Sequence, residues 1–178
     1  IVSVQDVEYT DFIYWQETES FINGVASATG NVELFFDEKV DRDSSLVIYD
    51  GKEIDLNQEH TFIDIQKEGI TQLVFILKDI DGYALQEGEK TILLDTTMPD
   101  IVFNAGNQNI IDVLPLEDKE TVHVKIFEQN VKSIEVYLDD EQMECEELEF
   151  DVDVTSKNKS LRIICTDIAQ NKLEREIK

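Results

Sequence analysis

The sequence predicts an all-β protein built from two tandem β-sandwich units. Three observations lead to this prediction. Apolar and polar residues alternate in short runs separated by Gly, Asn and Asp, and helical periodicity is nearly absent. The second half of the chain repeats the pattern of the first half at an offset of 88 residues. A proline-containing break lies between the two copies.

The alternating runs are short enough to be strands of a sandwich. In the first half they are Ile1–Val7, Phe12–Trp15, Phe21–Val25, Asn31–Phe36, Leu46–Tyr49, Phe62–Ile65, Thr71–Leu77 and Thr91–Leu94. In the second half they are Ile101–Phe103, Ile110–Leu114, Val122–Phe127, Ser133–Leu138, Leu148–Val154, Leu161–Thr166 and Leu173–Ile177. Asp50-Gly51 and Asp81-Gly82 are hairpin-turn signals. About seven strands in each half is the number expected of a β-sandwich.

The repeat is clearest near the end of each copy, where Phe62–Lys90 aligns with Phe150–Lys178. This alignment pairs Leu73 with Leu161, Ile76 with Ile164, Asp79 with Asp167, Ile80 with Ile168, and Leu85 with Leu173. Similarity at a constant period indicates tandem copies of one fold.

The break between the copies is centred on Pro99. Proline fixes its own φ, has no N–H and biases Met98 towards an extended conformation, so the strand that ends at Leu94 cannot continue as a central strand. We therefore expect a first unit over residues 1–95, a linker over 96–100 and a second unit over 101–178.

Two short motifs mark the ends of the copies. Residues 95–99 read Asp-Thr-Thr-Met-Pro, and residues 167–171 read Asp-Ile-Ala-Gln-Asn. They match the D-T-T-x-P linker and the D-x-A-G-N turn of the bacterial immunoglobulin-like repeats of Gram-positive cell-surface proteins, which this chain resembles over Asn31–Lys178. Gln170 replaces the glycine of the turn. Because a tight hairpin needs a residue that adopts positive φ, we expect a longer or differently shaped loop at Gln170.

The resemblance implies two immunoglobulin-like β-sandwiches and a non-catalytic role. It places the chain in an exported, cell-surface or cell-wall-associated protein, as a spacer or stalk or as an adhesion module that contacts a protein or glycan. We expect a monomer. The chain begins at Ile1, inside a predicted strand, so we interpret it as a fragment or a processed product. The alternative is an accessory carbohydrate-binding or linker region of a secreted carbohydrate-active enzyme.

The net charge of −25 excludes two classes of partner. Residues 1–95 carry 21 acidic and 6 basic residues, and residues 96–178 carry 19 and 9, so both halves are acidic. Nucleic acid needs Lys and Arg for counterion release, and anionic membranes attract basic segments. We therefore expect no nucleic-acid binding and no direct membrane binding.

The sequence contains no recognisable catalytic motif. His60 lies in a polar loop and His123 in an alternating strand, and neither has a neighbour that suggests a triad or a metal site. An enzyme needs a nucleophile or a tuned acid and base held in a pocket. We therefore expect no enzymatic activity.

Carboxylates offer a possible weak Ca²⁺ site. Asp79 and Asp81 stand on alternate residues before a glycine, which resembles the start of a calcium loop, and Asp95 and Asp100 flank the linker. The alternative for the first pair is an Asp-Gly hairpin turn with solvated acids. No other cofactor is expected.

The densest aromatic stretch contains Phe12, Tyr14 and Trp15, the only tryptophan. Such a stretch can form a platform for sugar rings or a partner protein, because aromatic side chains supply large rigid contact areas. The alternative is that one side of this strand faces the core. Cys145 and Cys165, the only cysteines, could be bridged or could remain free thiols.

Overall fold

The computed structural model describes residues 11–106, 111–115 and 119–178. The regular secondary structure within these residues consists entirely of β-strands. The chain divides into two compact units between Asp95 and Thr96. Each unit has its own cluster of buried apolar side chains, one formed by residues 13–94 and the other by residues 101–177. The predicted strand Ile1–Val7 lies outside the described residues.

In residues 11–95, the described part of the first unit, nine strands form two sheets. They are β1 (Ile13–Trp15), β2 (Phe21–Ile22), β3 (Val25–Ala26), β4 (Gly30–Phe36), β5 (Leu46–Tyr49), β6 (Lys52–Glu53), β7 (Thr61–Ile65), β8 (Gly69–Lys78) and β9 (Ala84–Leu94). One sheet has the order β1-β4-β7 and the other β2-β3-β9-β8-β5-β6. All pairings are antiparallel except β3 with β9, where Val25 and Ala26 pair with Leu93 and Leu94.

Alternation decides which side of each strand faces the core of the first unit. In β7, Ile63 and Ile65 are buried while Phe62 and Asp64 between them are exposed. In β8 the same period of two buries Leu73, among others. The two sheets therefore bury one apolar face each, as a β-sandwich requires.

In the second unit, leaving aside residues 107–110 and 116–118, the structure describes seven strands, also in two sheets. They are β10 (Asp100–Ala105), β11 (Glu120–Phe127), β12 (Val131–Leu138), β13 (Glu141–Met143), β14 (Glu149–Val154), β15 (Leu161–Asp167) and β16 (Lys172–Ile177). The sheets have the orders β10-β11-β14 and β13-β12-β15-β16. The Arg175 guanidinium of β16 donates hydrogen bonds to the Ile101 carbonyl of β10 and, at 2.8 Å, to the Asp112 carboxylate, so it links the two sheets at one edge.

The two units share one strand order. β1, β4 and β7 correspond to β10, β11 and β14, while β5, β6, β8 and β9 correspond to β12, β13, β15 and β16. The short strands β2 and β3 are additions in the first unit. The prediction of an all-β chain with two tandem sandwiches is therefore confirmed.

Several strand boundaries differ from the predicted ones. The predicted strand Phe21–Val25 is two short strands, because Asn23 and Gly24 adopt positive φ (51° and 78°) and form a turn between them. The described part of the predicted strand Ile110–Leu114 is not a strand, although Ile111 and Leu114 are buried. β10 begins at Asp100, a residue assigned to the linker in the sequence analysis.

The prediction of a different loop at Gln170 is wrong, because both units use the same turn. The Asp167 N–H donates to the Asn171 carbonyl (3.0 Å), and the Asp167 carboxylate accepts the Asn171 N–H (2.8 Å). Asp79 makes the equivalent two bonds with Tyr83. Gln170 adopts φ +70°, close to the +82° of Gly82 at the matching position, so a glutamine fills the left-handed position without a change in the loop.

Candidate functional site

The outer face of the β1-β4-β7 sheet carries a row of aromatic side chains. Tyr14 and Phe35 are register partners on β1 and β4, and their rings stack with centroids 5.5 Å apart and planes 13° apart. Tyr14 is 48% exposed. Buried neighbours such as Ile13 and Leu34 point to the opposite side, into the core. A stacked pair is thus presented to solvent.

The row continues onto β7. Phe62 pairs with Glu33 across the sheet and is 48% exposed. The His60 ring lies 6.3 Å from the Phe62 ring, and His60 Nδ1 lies 2.6 Å from Glu33 Oε1. This hydrogen bond to the carboxylate raises the pKa of His60 above its usual value of 6.5. We call the surface formed by Tyr14, Glu33, Phe35, His60 and Phe62 the aromatic face.

The three residues predicted to form a platform do not share one surface. Tyr14 belongs to the aromatic face, whereas Phe12 and Trp15 are partly buried and pack against the core. The Trp15 ring makes an edge contact with Phe21, with centroids 5.4 Å apart, and the Lys90 ammonium lies 5.2 Å from the Trp15 ring centroid.

Sequence reasoning missed Phe35, His60 and Phe62 as members of a surface. Phe35 and Phe62 alternate with buried residues of β4 and β7, and this alternation is the signal that could have placed them outside. The pairing of β1 with β4 and of β4 with β7 then brings the three strands together. That pairing joins residues far apart in the chain, and composition does not reveal it.

The matching face of the second unit is built from charges. The register of the β10-β11-β14 sheet places Lys125, Glu149 and Asp151 where the first unit has Phe35, His60 and Phe62. The sequence alignment of Phe62 with Phe150 is therefore one residue out on this strand, because Phe150 packs against the core. His123 stands where the first unit has Glu33, with Nδ1 2.7 Å from Asp151 Oδ1 and Nε2 3.0 Å from Glu149 Oε1. The Lys125 ammonium lies 3.5 Å from the Glu149 carboxylate.

These contacts shift the pKa values on the second face in opposite directions. Hydrogen bonds to Asp151 and Glu149 raise the pKa of His123, because both carboxylates favour the imidazolium. The bond from His123 and the charge of Lys125 lower the pKa of Glu149. The second unit thus covers the positions of Phe35 and Phe62 with its own ion pairs. The next outward residue of β11, Phe127, is 52% exposed, and the Lys125 ammonium lies 5.4 Å from its ring centroid.

Two of the four aspartates proposed for Ca²⁺, Asp79 and Asp100, use a carboxylate oxygen to accept backbone N–H bonds. Asp79 Oδ1 accepts the N–H of Asp81 (3.0 Å) as well as that of the residue at the end of the turn. Asp95 is buried, and its N–H donates to the Ala26 carbonyl (2.9 Å). Asp100 Oδ1 accepts the N–H of Ile101 at 2.9 Å. In the described part of the chain, Asp79 and Asp81 do not belong to any group of three or more potential ligands close enough to hold one ion.

Neither histidine is placed beside a nucleophile. Within residues 11–106, 111–115 and 119–178, the hydrogen-bond partners of both imidazoles are carboxylates. Cys145 and Cys165 are free thiols; Cys165 is buried in the core, and this burial raises the pKa of its thiol to about 11. A thiol of that pKa is a poor nucleophile at neutral pH. The described contacts thus join each imidazole to carboxylates and place Cys165 in the core.

The fold and these faces define a chain of tandem β-sandwich modules. It is similar to the fibronectin(III)-like modules of Clostridium thermocellum CbhA, at 12% identity and a TM-score of 0.45, over 93% of this chain and 91% of that one. It is also similar to SGBP-B of the Bacteroides ovatus mixed-linkage glucan utilization locus, solved with a mixed-linkage heptasaccharide, at 13% identity and a TM-score of 0.30. That match covers 95% of this chain and 47% of the other.

These likenesses say nothing about what this chain binds. No protein-family model matches it, and no curated protein does. The described residues include no helix long and apolar enough to cross a bilayer.

Proposed function

We propose that the chain is a non-catalytic part of an exported bacterial surface protein, in which the two sandwich modules act as a spacer or adhesion module. One observation carries this proposal. Two units with the same strand order and separate cores follow each other with only five residues, 95–99, between β9 and β10. Modules of this kind add length to a protein without adding chemistry, because each folds around its own core.

Charge and site chemistry support the same role. The net charge of −25 keeps a surface protein soluble and disfavours nucleic acid and anionic lipid as partners. The histidines are used in exposed pairs with carboxylates, and Cys165 is part of the core. The extracellular or cell-wall location and the monomeric state belong to this proposal.

A display experiment tests the spacer role. The chain is inserted between an epitope tag and a cell-wall anchor on a Gram-positive bacterium, beside one fusion with no insert and one with a Gly-Ser linker of about 20 residues. Antibody binding to the epitope should be highest with the β-sandwich chain, because one folded unit of this size, with a radius of gyration of roughly 13 Å, is already wider than the roughly 25 Å root-mean-square span of that linker. Binding no higher than without an insert would refute the role.

The non-catalytic part of the proposal has its own test. The purified chain is incubated with panels of chromogenic glycosides, esters and peptides. We expect no turnover above a heat-denatured sample. Turnover that disappears in either His60→Ala or His123→Ala would contradict the proposal, since it would assign chemistry to an imidazole.

A second candidate function is an accessory carbohydrate-binding region of a secreted carbohydrate-active enzyme. The specific observation in its favour is the exposed stack of Tyr14 on Phe35, together with the exposed Phe62 on β7, the strand next to that of Phe35. Retention of the chain on an immobilised polysaccharide tests this candidate, and no retention on any polysaccharide tried would argue against it.

A further inference from the structure

Folding of a unit does not require the residues of the aromatic face, because the matching positions of the second unit carry other residues. Both units use the same strand order and bury the alternate positions of these strands. At the outward positions, however, the first unit has Phe35 and Phe62 where the second has Lys125 and Asp151. Since Lys125 and Asp151 occupy these two positions in one copy, the exposed rings of Phe35 and Phe62 in the other copy are not a requirement of the fold.

Exposed rings have a cost in solubility, which indicates a binding role. Tyr14 and Phe62 each leave 48% of their surface exposed, and they lie on the two outer strands of a three-stranded sheet. Adjacent strands are about 4.8 Å apart, so the row spans roughly 10 Å across the sheet. A surface of this width is open and extended, so it suits a chain-like ligand better than a small molecule enclosed in a pocket.

The charges on the aromatic face select the class of ligand. Glu33 is paired with His60 at 2.6 Å, so the centre of the face carries a balanced pair when the imidazole is protonated. The next outward residue of β7, Asp64, accepts a hydrogen bond from Gln66 at 2.7 Å. Residues 1–95 have 15 more acidic than basic residues, which repels polyanions. An uncharged ligand with apolar faces and hydroxyl groups matches this combination.

We propose that the aromatic face of the first unit, formed by Tyr14, Glu33, Phe35, His60 and Phe62, binds a neutral polysaccharide. The C–H faces of successive pyranose rings pack against the aromatic rings, whose faces carry partial negative charge. The Glu33 carboxylate accepts hydrogen bonds from sugar hydroxyls, the His60 imidazole donates to them, and the Tyr14 hydroxyl can do either. This inference deepens the second candidate function and is independent of the spacer role.

Native gel electrophoresis in the presence of polysaccharide tests the proposal. The probes are hydroxyethylcellulose, xyloglucan, galactomannan and glycogen as neutral chains, with polygalacturonate as the polyanion. We expect retardation of the full chain by at least one neutral chain and none by polygalacturonate. Retardation by polygalacturonate alone, or by none of the five, would overturn the proposal.

Matched variants locate the binding surface. Tyr14→Ala and Phe62→Ala should each weaken binding at least about tenfold, as truncation of a central aromatic contact does. Tyr83→Ala is the control, because Tyr83 is 72% exposed in the same unit but lies in the β8–β9 turn. Thermal unfolding of each variant checks that the unit remains folded.

The outcomes separate this inference from the proposed functions. Binding that is unchanged in Tyr14→Ala and Phe62→Ala would overturn the aromatic face as the site, while the carbohydrate-binding role would stand. Retardation by none of the probes would remove both the site and the second candidate. The epitope-display result does not depend on either outcome, so the spacer role is judged separately.

Discussion

The two leucines Leu73 and Leu161 provide a test of whether the two cores fold separately. They occupy matching positions 88 residues apart, in β8 and β15, and both are 0% exposed. We expect Leu161→Ala to destabilise only the second unit and Leu73→Ala only the first. Each substitution is the control for the other, because both are Leu→Ala changes at matching positions of corresponding strands.

The expected magnitude follows from burial. Leu→Ala removes three buried carbons at roughly 0.8 kcal/mol each, or about 2.4 kcal/mol. The cavity that remains adds to this cost, so the total destabilisation is about 3 to 5 kcal/mol. For a domain of this size, a loss of about 3 kcal/mol lowers the unfolding temperature by at least roughly 12 °C.

The single tryptophan makes the assay selective. Trp15 is the only tryptophan and packs against the first core, so its fluorescence reports unfolding of the first unit, while calorimetry reports both units. Leu161→Ala should lower one calorimetric transition and leave the fluorescence midpoint unchanged. Leu73→Ala should lower the fluorescence midpoint and leave the other transition in place. If either substitution moves both transitions together, the two cores are not independent.

Three further predictions follow from local contacts. His123 has a raised folded-state pKa, so the stability it contributes is complete below the unfolded value of about 6.5 and is lost as pH rises through the folded value. The urea midpoint of the second unit should therefore fall as the pH rises above about 6.5, and an equal fall in His123→Gln would contradict this cause. Gly24→Ala should lower the free energy of unfolding of the first unit by roughly 2 kcal/mol or more, as measured with urea. The reason is that φ is +78° and the new Cβ would lie 2.8 Å from the Thr91 carbonyl oxygen. An unchanged urea midpoint would show that the turn can relax. In the native protein a maleimide should label Cys145 and not the buried Cys165, and in denaturant it should label both; no labelling in denaturant would indicate a disulfide.

Local sequence patterns determined the class of fold. Alternation in runs such as residues 71–77 requires a strand with one buried side, and the 88-residue repeat requires two copies. The pairing of Asp79 with Asp167 in the repeat also reflects a shared local structure, because both carboxylates accept the N–H of the residue four positions later. These features depend on neighbours in the chain, so the sequence reveals them.

The tertiary structure alone decided which side chains meet on a surface. Of the three neighbouring aromatic residues Phe12, Tyr14 and Trp15, only Tyr14 lies on the aromatic face, because Phe12 and Trp15 pack against the core. Phe35 and Phe62 join Tyr14 through strand pairing that links residues up to about 48 positions apart. Strand pairing joins segments that are far apart in the chain, and it is determined by the burial of the apolar faces of whole sheets. The sequence therefore predicts that strands form, but the register of their pairing determines the candidate site.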